Sequence, residues 1–473
     1  MARNSKYHYL NELERSQQLD RINTMEGGER NSQSGANRRN IQRERERLRK
    51  EQERIRRVKI LRRVLIAALI GVVVLIVIVI GGIFGNKKPG GGVTPLSDVT
   101  PTPTGAAGDI SEAPIPSVEA PTEAPTETPT PSPTPTPEPV FGWWEYISEE
   151  PMPVGDIVSV TSDLYTYEQM CRDLNFLRER YSGKVQVYRI GRTADGRDLL
   201  DAVVGSENAS KDLIIQYSMH AREYINTPLA MRQLEEFLKG WDSQSYNGRS
   251  YGSLVQDVRL HILPMANPDG VSISQSGFEA IRSESLRSAL NDIWQYDISI
   301  DHGSTDYRTY YRRWKANGRG VDLNRNFDQN WETTGGTPWY SSSGFRGESA
   351  ASENETQAIV RLADEINCIG EIAYHSMGQV IYWDYGTTGE LHAKDEKLAT
   401  LVEGLTGYAL NSTIDTGQNS SGCSDYFMLV RGVPAITIET GKETCPVPFE
   451  QWPDLWERNR YILPALAELF AGF

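Results

Sequence analysis

From about residue 165 to Phe473, short apolar runs alternate with amphipathic stretches. "TYEQMCRDLNFLRERY" opens with Thr166 and Gln169 in capping-box spacing and continues with helical periodicity. "KVQVYRIGR" and "LLDAVVG" read as strands joined through a turn at Asp195-Gly196. "DLIIQYSMH" predicts a strand, and "NTPLAMRQLEEFL" a helix with Asn226 as N-cap. "RLHILPMANPDG", "GEIAYHS", "QVIYWDYG" and "AITIETG" add strands, whereas "ENETQAIVRLADEI", "DEKLATLVEGL" and "WERNRYILPALAELF" read as helices. Apolar strands between amphipathic helices predict an α/β fold, a mixed, mostly parallel sheet with helices on both faces. No internal repeat interrupts the alternation.

The N-terminal third follows another pattern. Val64–Phe84, "VLIAALIGVVVLIVIVIGGIF", is 21 residues without a charged side chain. That is long enough to span a bilayer, and 63 residues precede it, which is too long a lead for a secretory signal. Between Arg38 and Arg63 there are 13 basic and 4 acidic residues, although the whole chain carries −14. By the positive-inside rule this flank stays in the cytoplasm and everything after Phe84 lies outside, a single-pass type II arrangement at the cell membrane. The Arg/Glu mixture before the span has no interleaved aromatics for base stacking, which argues against nucleic acid as a partner. It suits a solvated helix near anionic lipid heads.

Fourteen of the 25 prolines fall between Asn86 and Val140. That composition builds no core and favours extended polyproline II, or else a glycosylated stalk. At about 3.1 Å per residue it reaches on the order of 170 Å. The predicted organisation is a cytoplasmic tail over 1–63, a span over 64–84, a Pro/Thr-rich linker over 85–140 and a folded domain over 141–473.

Ligands of open α/β sheets bind beyond the carboxyl ends of the strands. His220 follows "LIIQYSM", His375 follows "EIAY" and Glu439 follows "AITI", with Glu223 three residues after His220. Two imidazoles and a carboxylate with an open fourth position make a catalytic zinc site, and a further carboxylate serves as base. Singly, each residue has a bland reading: a helix start, a core histidine, an ion pair. His8, His261, His302 and His392 fit such readings, His261 as a histidine inside an apolar strand.

"HARE" (220–223), "NPDG" (267–270), "RRWKANGRGVDLNRNF" (312–327), "AYHS" (373–376) and "ITIETG" (436–441), in that order, resemble the zinc carboxypeptidase family. The resemblance runs from Tyr165 to Phe473. "WKANGRGVDLNRNF" and "CPVPFEQW" look closest to bacterial γ-D-glutamyl-diaminoacid peptidases. It implies one zinc per chain held by His220, Glu223 and His375, with Glu439 as general base. It further implies Asp322 behind a ligand imidazole, and Arg222, Asn324 and Arg325 on a substrate carboxylate. Lys315 stands where digestive members have an arginine that polarises the scissile carbonyl. Ser424 takes the floor of the side-chain pocket, small and polar, which suits a diaminopimelate-like side chain.

The family's lid tyrosine aligns with Gly417, so Tyr408 or another loop residue would have to replace it. Cys171 and Cys368 read as core, and between Cys423 and Cys445, which flank the Glu439 strand, a disulfide is permitted but not compelled. The expected activity is hydrolysis of γ-D-glutamyl-diamino-acid bonds in peptidoglycan stem peptides. The alternatives are trimming of peptide C-termini and an inactive wall-binding homologue, against which the complete His220, Glu223, His375 and Glu439 set argues.

Overall fold

Nine strands hydrogen-bond into one sheet in the computed structural model, which describes residues 142–412 and 422–473. The predicted tail, span and linker, together with Phe141 and Gly417, lie outside those residues. The strands are β1 (Gly142–Trp143), β2 (Val185–Arg192), β3 (Asp198–Val204), β4 (Lys211–Tyr217), β5 (Val258–Leu263), β6 (Cys368–Ser376), β7 (Val380–Asp384), β8 (Ala409–Ser412) and β9 (Ala435–Thr440). Their spatial order is β1-β2-β3-β5-β4-β6-β9-β7-β8. The central four, β5, β4, β6 and β9, run parallel. Antiparallel pairings lie outside them: β1 with β2, β2 with β3, β3 with β5, and β7 with β9.

Among the described residues, the α-helices of six or more residues are α1 (Tyr167–Arg180), α2 (Asn226–Lys239), α3 (Pro268–Ser276), α4 (Glu284–Ser299), α5 (Tyr307–Arg312), α6 (Asn354–Glu365), α7 (Gly389–Thr406), α8 (Cys423–Leu429), α9 (Trp452–Asn459) and α10 (Ile462–Ala471). Successive side chains of a strand face opposite sides, and β4 divides accordingly. Leu213 and Ile215 join the core under α1, α2, α7 and α10, whereas Ile214 packs with α6 and α8 on the other side. A third apolar group, with Ile273, Leu290 and Trp314, sits under Ala221 and supports the turn that carries His220. Among the described residues no helix is long and apolar enough to cross a membrane.

Three local expectations change. Thr166 Oγ1 accepts from the Gln169 N–H at 3.2 Å, but the Gln169 side chain donates to Ser159 O instead of closing the capping box. Asn226 is the first residue of α2, not its cap; Ile225 holds that position. "WERNRYILPALAELF" forms two helices, broken at Arg460–Tyr461.

Candidate active site

The parallel strands β4, β6 and β9 bring three chain segments to one end of the sheet. After β4, Ser218 adopts a left-handed backbone (φ 54°), and a 3-10 turn over Ala221–Glu223 follows. Such strain concentrates at functional sites and is held by its surroundings. Here the surroundings are specific. Asn267 of "NPDG" donates to both Met219 O and Ala316 O, and Ala221 N–H donates to Lys315 O. A Cβ at Gly270 would collide with the Ala316 carbonyl oxygen, so only glycine lets α3 approach this closely. Asp269 accepts from Thr193, the Asp195 N–H and Arg197 and anchors α3 to the β2–β3 turn.

His220 Nδ1 lies 2.8 Å from Glu223 Oε1, and His375 Nδ1 lies 2.9 Å from Glu223 Oε2 and 2.9 Å from His220 Nδ1. All three residues are buried. Two imidazole nitrogens facing each other so closely, with a carboxylate beside both, form a donor set that suits a divalent cation. Among the described residues these three make the group of ligand type within mutual reach. Behind it, His220 Nε2 is 3.2 Å from Asp322 Oδ1, and Asp322 Oδ2 is 3.1 Å from Lys315 Nζ. Burial works against ionisation of Asp322, but Lys315 and His220 hold its carboxyl well below the usual range. The same balance holds for Glu223, where the two imidazoles outweigh burial. The His375–Ser376 backbone contributes too, since the Ser376 N–H donates to Glu223 Oε2 at 3.0 Å.

Glu439 pairs in register with His375 across β9 and β6. Burial, and then the Glu223 charge, push its pKa up to about 7, against the pull of His375, Lys315 and Arg222. Glu439 Oε2 and Arg222 Nε are both buried without a hydrogen-bond partner among the described residues. The two groups carry opposite charge and stand beside the ligand triad, available to a partner of complementary charge.

The remaining predicted residues are placed as follows. Asn324 Oδ1 accepts from the Cys423 N–H at 2.8 Å, tying the "NRN" turn to the start of α8, and Arg325 Nη1 donates to Asn324 O. Ser424 is buried, its hydroxyl donating to Glu371 Oε2 at 2.9 Å and lying 3.0 Å from Thr437 Oγ1. Tyr408 is no lid: it is 1% exposed, and its hydroxyl accepts from Asn459. Cys171, Cys368, Cys423 and Cys445 are all free thiols. His302 bonds Ser343, and His261 sits between Asp201 and Asp212, paired as a structural histidine.

Sequence reasoning missed two groups. Asn226, read as a cap, instead donates to Ser376 Oγ and accepts from Thr440 Oγ1, so α2 clamps the ends of β6 and β9. Glu371, within an apolar strand, lies beneath Ser424. The period-two alternation through Ala373 to His375 was the available signal.

The chain belongs to the zinc carboxypeptidase family, whose profile matches residues 170–462. It is a zinc metallopeptidase that takes one zinc per chain. It is 29% identical over 298 residues to γ-D-glutamyl-L-diamino acid endopeptidase 1 of Lysinibacillus sphaericus, covering 62% of this chain and 69% of the relative. Against bovine carboxypeptidase O the identity is 25% over 320 residues, covering 62% and 77%. The fold is similar to that of carboxypeptidase A from Helicoverpa armigera (TM-score 0.50, 21% identity, 67% of this chain and 77% of that one).

Proposed function

We propose that the chain is a membrane-anchored, extracellular peptidase that cleaves γ-D-glutamyl-diamino-acid bonds of peptidoglycan stem peptides. The observation that carries the reaction is the pair of unsatisfied groups, Glu439 Oε2 and Arg222 Nε, beside His220, Glu223 and His375. Zinc, when bound there, supplies Lewis acidity at the scissile carbonyl. Glu439 takes a proton from the attacking water on a carboxylate oxygen and returns it to the leaving amine nitrogen as the C–N bond breaks. Its raised pKa suits both transfers near neutral pH. Lys315, oriented by Asp322, adds positive charge near the carbonyl oxygen as that oxygen becomes an oxyanion. Arg222 and Arg325 receive the free carboxylate, with Asn324 as a neutral donor.

The substrate class rests on the similarity to the Lysinibacillus endopeptidase and on the polar floor at Ser424. Trimming of peptide C-termini is the second reading, supported by the similarity to carboxypeptidase O. Mass spectrometry of purified muropeptides incubated with the enzyme tests the first. Cleavage between γ-D-glutamate and the diamino acid is expected. Faster turnover of ordinary peptides ending in Phe or Lys would make the second reading the better one.

A further inference from the structure

Between Phe327 and α6 the chain makes a long loop, and much of it is fixed. The Arg346 guanidinium lies over the Trp331 ring, 4.3 Å from its centroid, and donates to the Trp331, Glu332 and Thr334 carbonyl oxygens. Further along, the Thr337 N–H donates to Gly344 O at 3.1 Å and closes residues 337–344 into a narrow turn. A Cβ at Gly336 would overlap the Gly344 carbonyl oxygen, so glycine is required where the two arms meet.

The base of this turn is built into the site. Ser342 O accepts from the Lys315 and Ala316 N–H groups, the Gly344 N–H donates to Asp322 Oδ2, and the Asp322 N–H donates to Phe345 O. Asp297 on α4 accepts from both the N–H and the hydroxyl of Ser342. The tip, by contrast, faces solvent, and Trp339 is 54% exposed. Tyr340 meets it edge to face at 5.2 Å, which leaves at least one face of the indole open. The Tyr340 hydroxyl donates to Glu348 at 2.7 Å and accepts from Arg319 at 3.4 Å.

A single exposed apolar side chain is ordinary. An indole held out on a turn fixed at both arms, with a tyrosine, an arginine and a glutamate beside it, is a preorganised platform. Arg319 is also paired with Glu353 at 3.5 Å, so these groups carry no surplus positive charge and suit a neutral ligand. A flat apolar face bordered by hydroxyl, guanidinium and carboxylate groups matches a pyranose, whose ring face is C–H and whose rim is hydroxyl and acetamido.

We infer that Trp339 and Tyr340 form a sugar-binding platform beside the active site. It takes the N-acetylmuramyl ring that carries the stem peptide, so the enzyme acts on stems still joined to glycan. The inference rests on the proposed function above and extends it to the amino-terminal side of the cleaved bond. Ser342, bonded to the Lys315 backbone, is three residues from Trp339, at most about 11 Å of chain. From the scissile carbonyl to the sugar, a stem spans two residues and a lactyl ether, on the order of 12 Å. The two lengths are compatible.

The zinc-loaded full chain is assayed on L-alanyl-γ-D-glutamyl-diaminopimelate and on the same tripeptide bearing N-acetylmuramic acid. Wild type is expected to favour the muramyl peptide in kcat/KM by about tenfold, chiefly through KM. Trp339→Ala is expected to erase most of that preference, and Trp339→Phe to keep part of it. Zinc content and Tm report on folding. As a readout that needs no variant, the product N-acetylmuramyl-L-alanyl-D-glutamate should inhibit wild type more strongly than L-alanyl-D-glutamate. Equal inhibition by the two overturns the inference. So does a Trp339→Ala preference equal to wild type, or a fall shared equally by both substrates, which assigns the indole to the peptide. Wild type that cleaves both substrates with the same kcat/KM removes the platform and leaves the proposed function standing. Wild type that cleaves neither overturns the proposed function, and the platform with it.

Discussion

Glu223 and Glu439 are carboxylates a strand apart whose surroundings drive them in opposite directions. Two imidazoles keep Glu223 ionised, whereas burial and the Glu223 charge raise Glu439. Such divergence suits the proposed roles of ligand and proton carrier. Glu439→Gln preserves shape and removes proton capacity, so zinc should remain at one per chain while kcat falls by about 10²–10⁴-fold. Metal analysis combined with kcat on a stem peptide decides it, and near-wild-type turnover with zinc bound excludes Glu439 as the base. At this scale the sequence was readable where chemistry sits at strand ends. His220, His375 and Glu439 follow apolar runs, and the fold could only bring those ends together. The surroundings of Glu371 were not readable, because alternation gives the face of a single acid in an apolar strand but not which neutral groups surround it. Asn226 failed for a related reason. Its residue type suits a cap, and only the three-dimensional approach of Ser376 and Thr440 gave its amide better partners.

At the scale of elements, the alternation of strands and helices was legible, and so was the parallel centre, since buried strands joined by helices demand it. The antiparallel outer strands were less so: nothing local to "QVIYWDYG" says that it returns beside β9. Another feature between elements is a charged layer inside the sheet. His261 on β5 bonds Asp201 on β3 at 2.7 Å and contacts Asp212 on β4 at 3.1 Å, and Arg259 also holds Asp212. Burial alone would lower the His261 pKa, but the two carboxylates outweigh it and push it up to about 9. A histidine raised above its unfolded value near 6.5 contributes stability fully below that value and loses it as pH rises through the folded one. The strand contacts should therefore weaken between about pH 6.5 and 9, by on the order of 3 kcal/mol in total. Thermal unfolding of zinc-loaded wild type and His261→Gln across this range checks the sign. The Tm gap between them should be widest near pH 6.5 and narrow toward pH 9 and above, and a constant gap would mean that His261 is not charged in the folded state.

For the whole molecule, a peptidase acting on wall material has to be held outside the cell yet reach beyond the membrane surface. On the function proposed above, the charge-free Val64–Phe84 run, the basic flank before it and the proline-rich stretch to Val140 would supply an anchor, an orientation and a spacer in that order. A spacer would change where the catalytic unit can act without changing its chemistry. The full chain should accordingly sediment with membranes and resist extraction by high salt, which removes proteins held only by surface charge, and detergent should release it. Protease added to intact spheroplasts should cut within the proline-rich stretch, free a zinc-bound fragment and leave the residues before Val64 protected. That fragment should keep kcat/KM on a small soluble stem peptide within about twofold of the anchored enzyme, because tethering alters effective concentration near the wall rather than the site itself. Recovery of the full chain in the soluble fraction, or digestion of its N-terminal tail from outside, would sink the anchored type II arrangement while leaving the zinc site untouched.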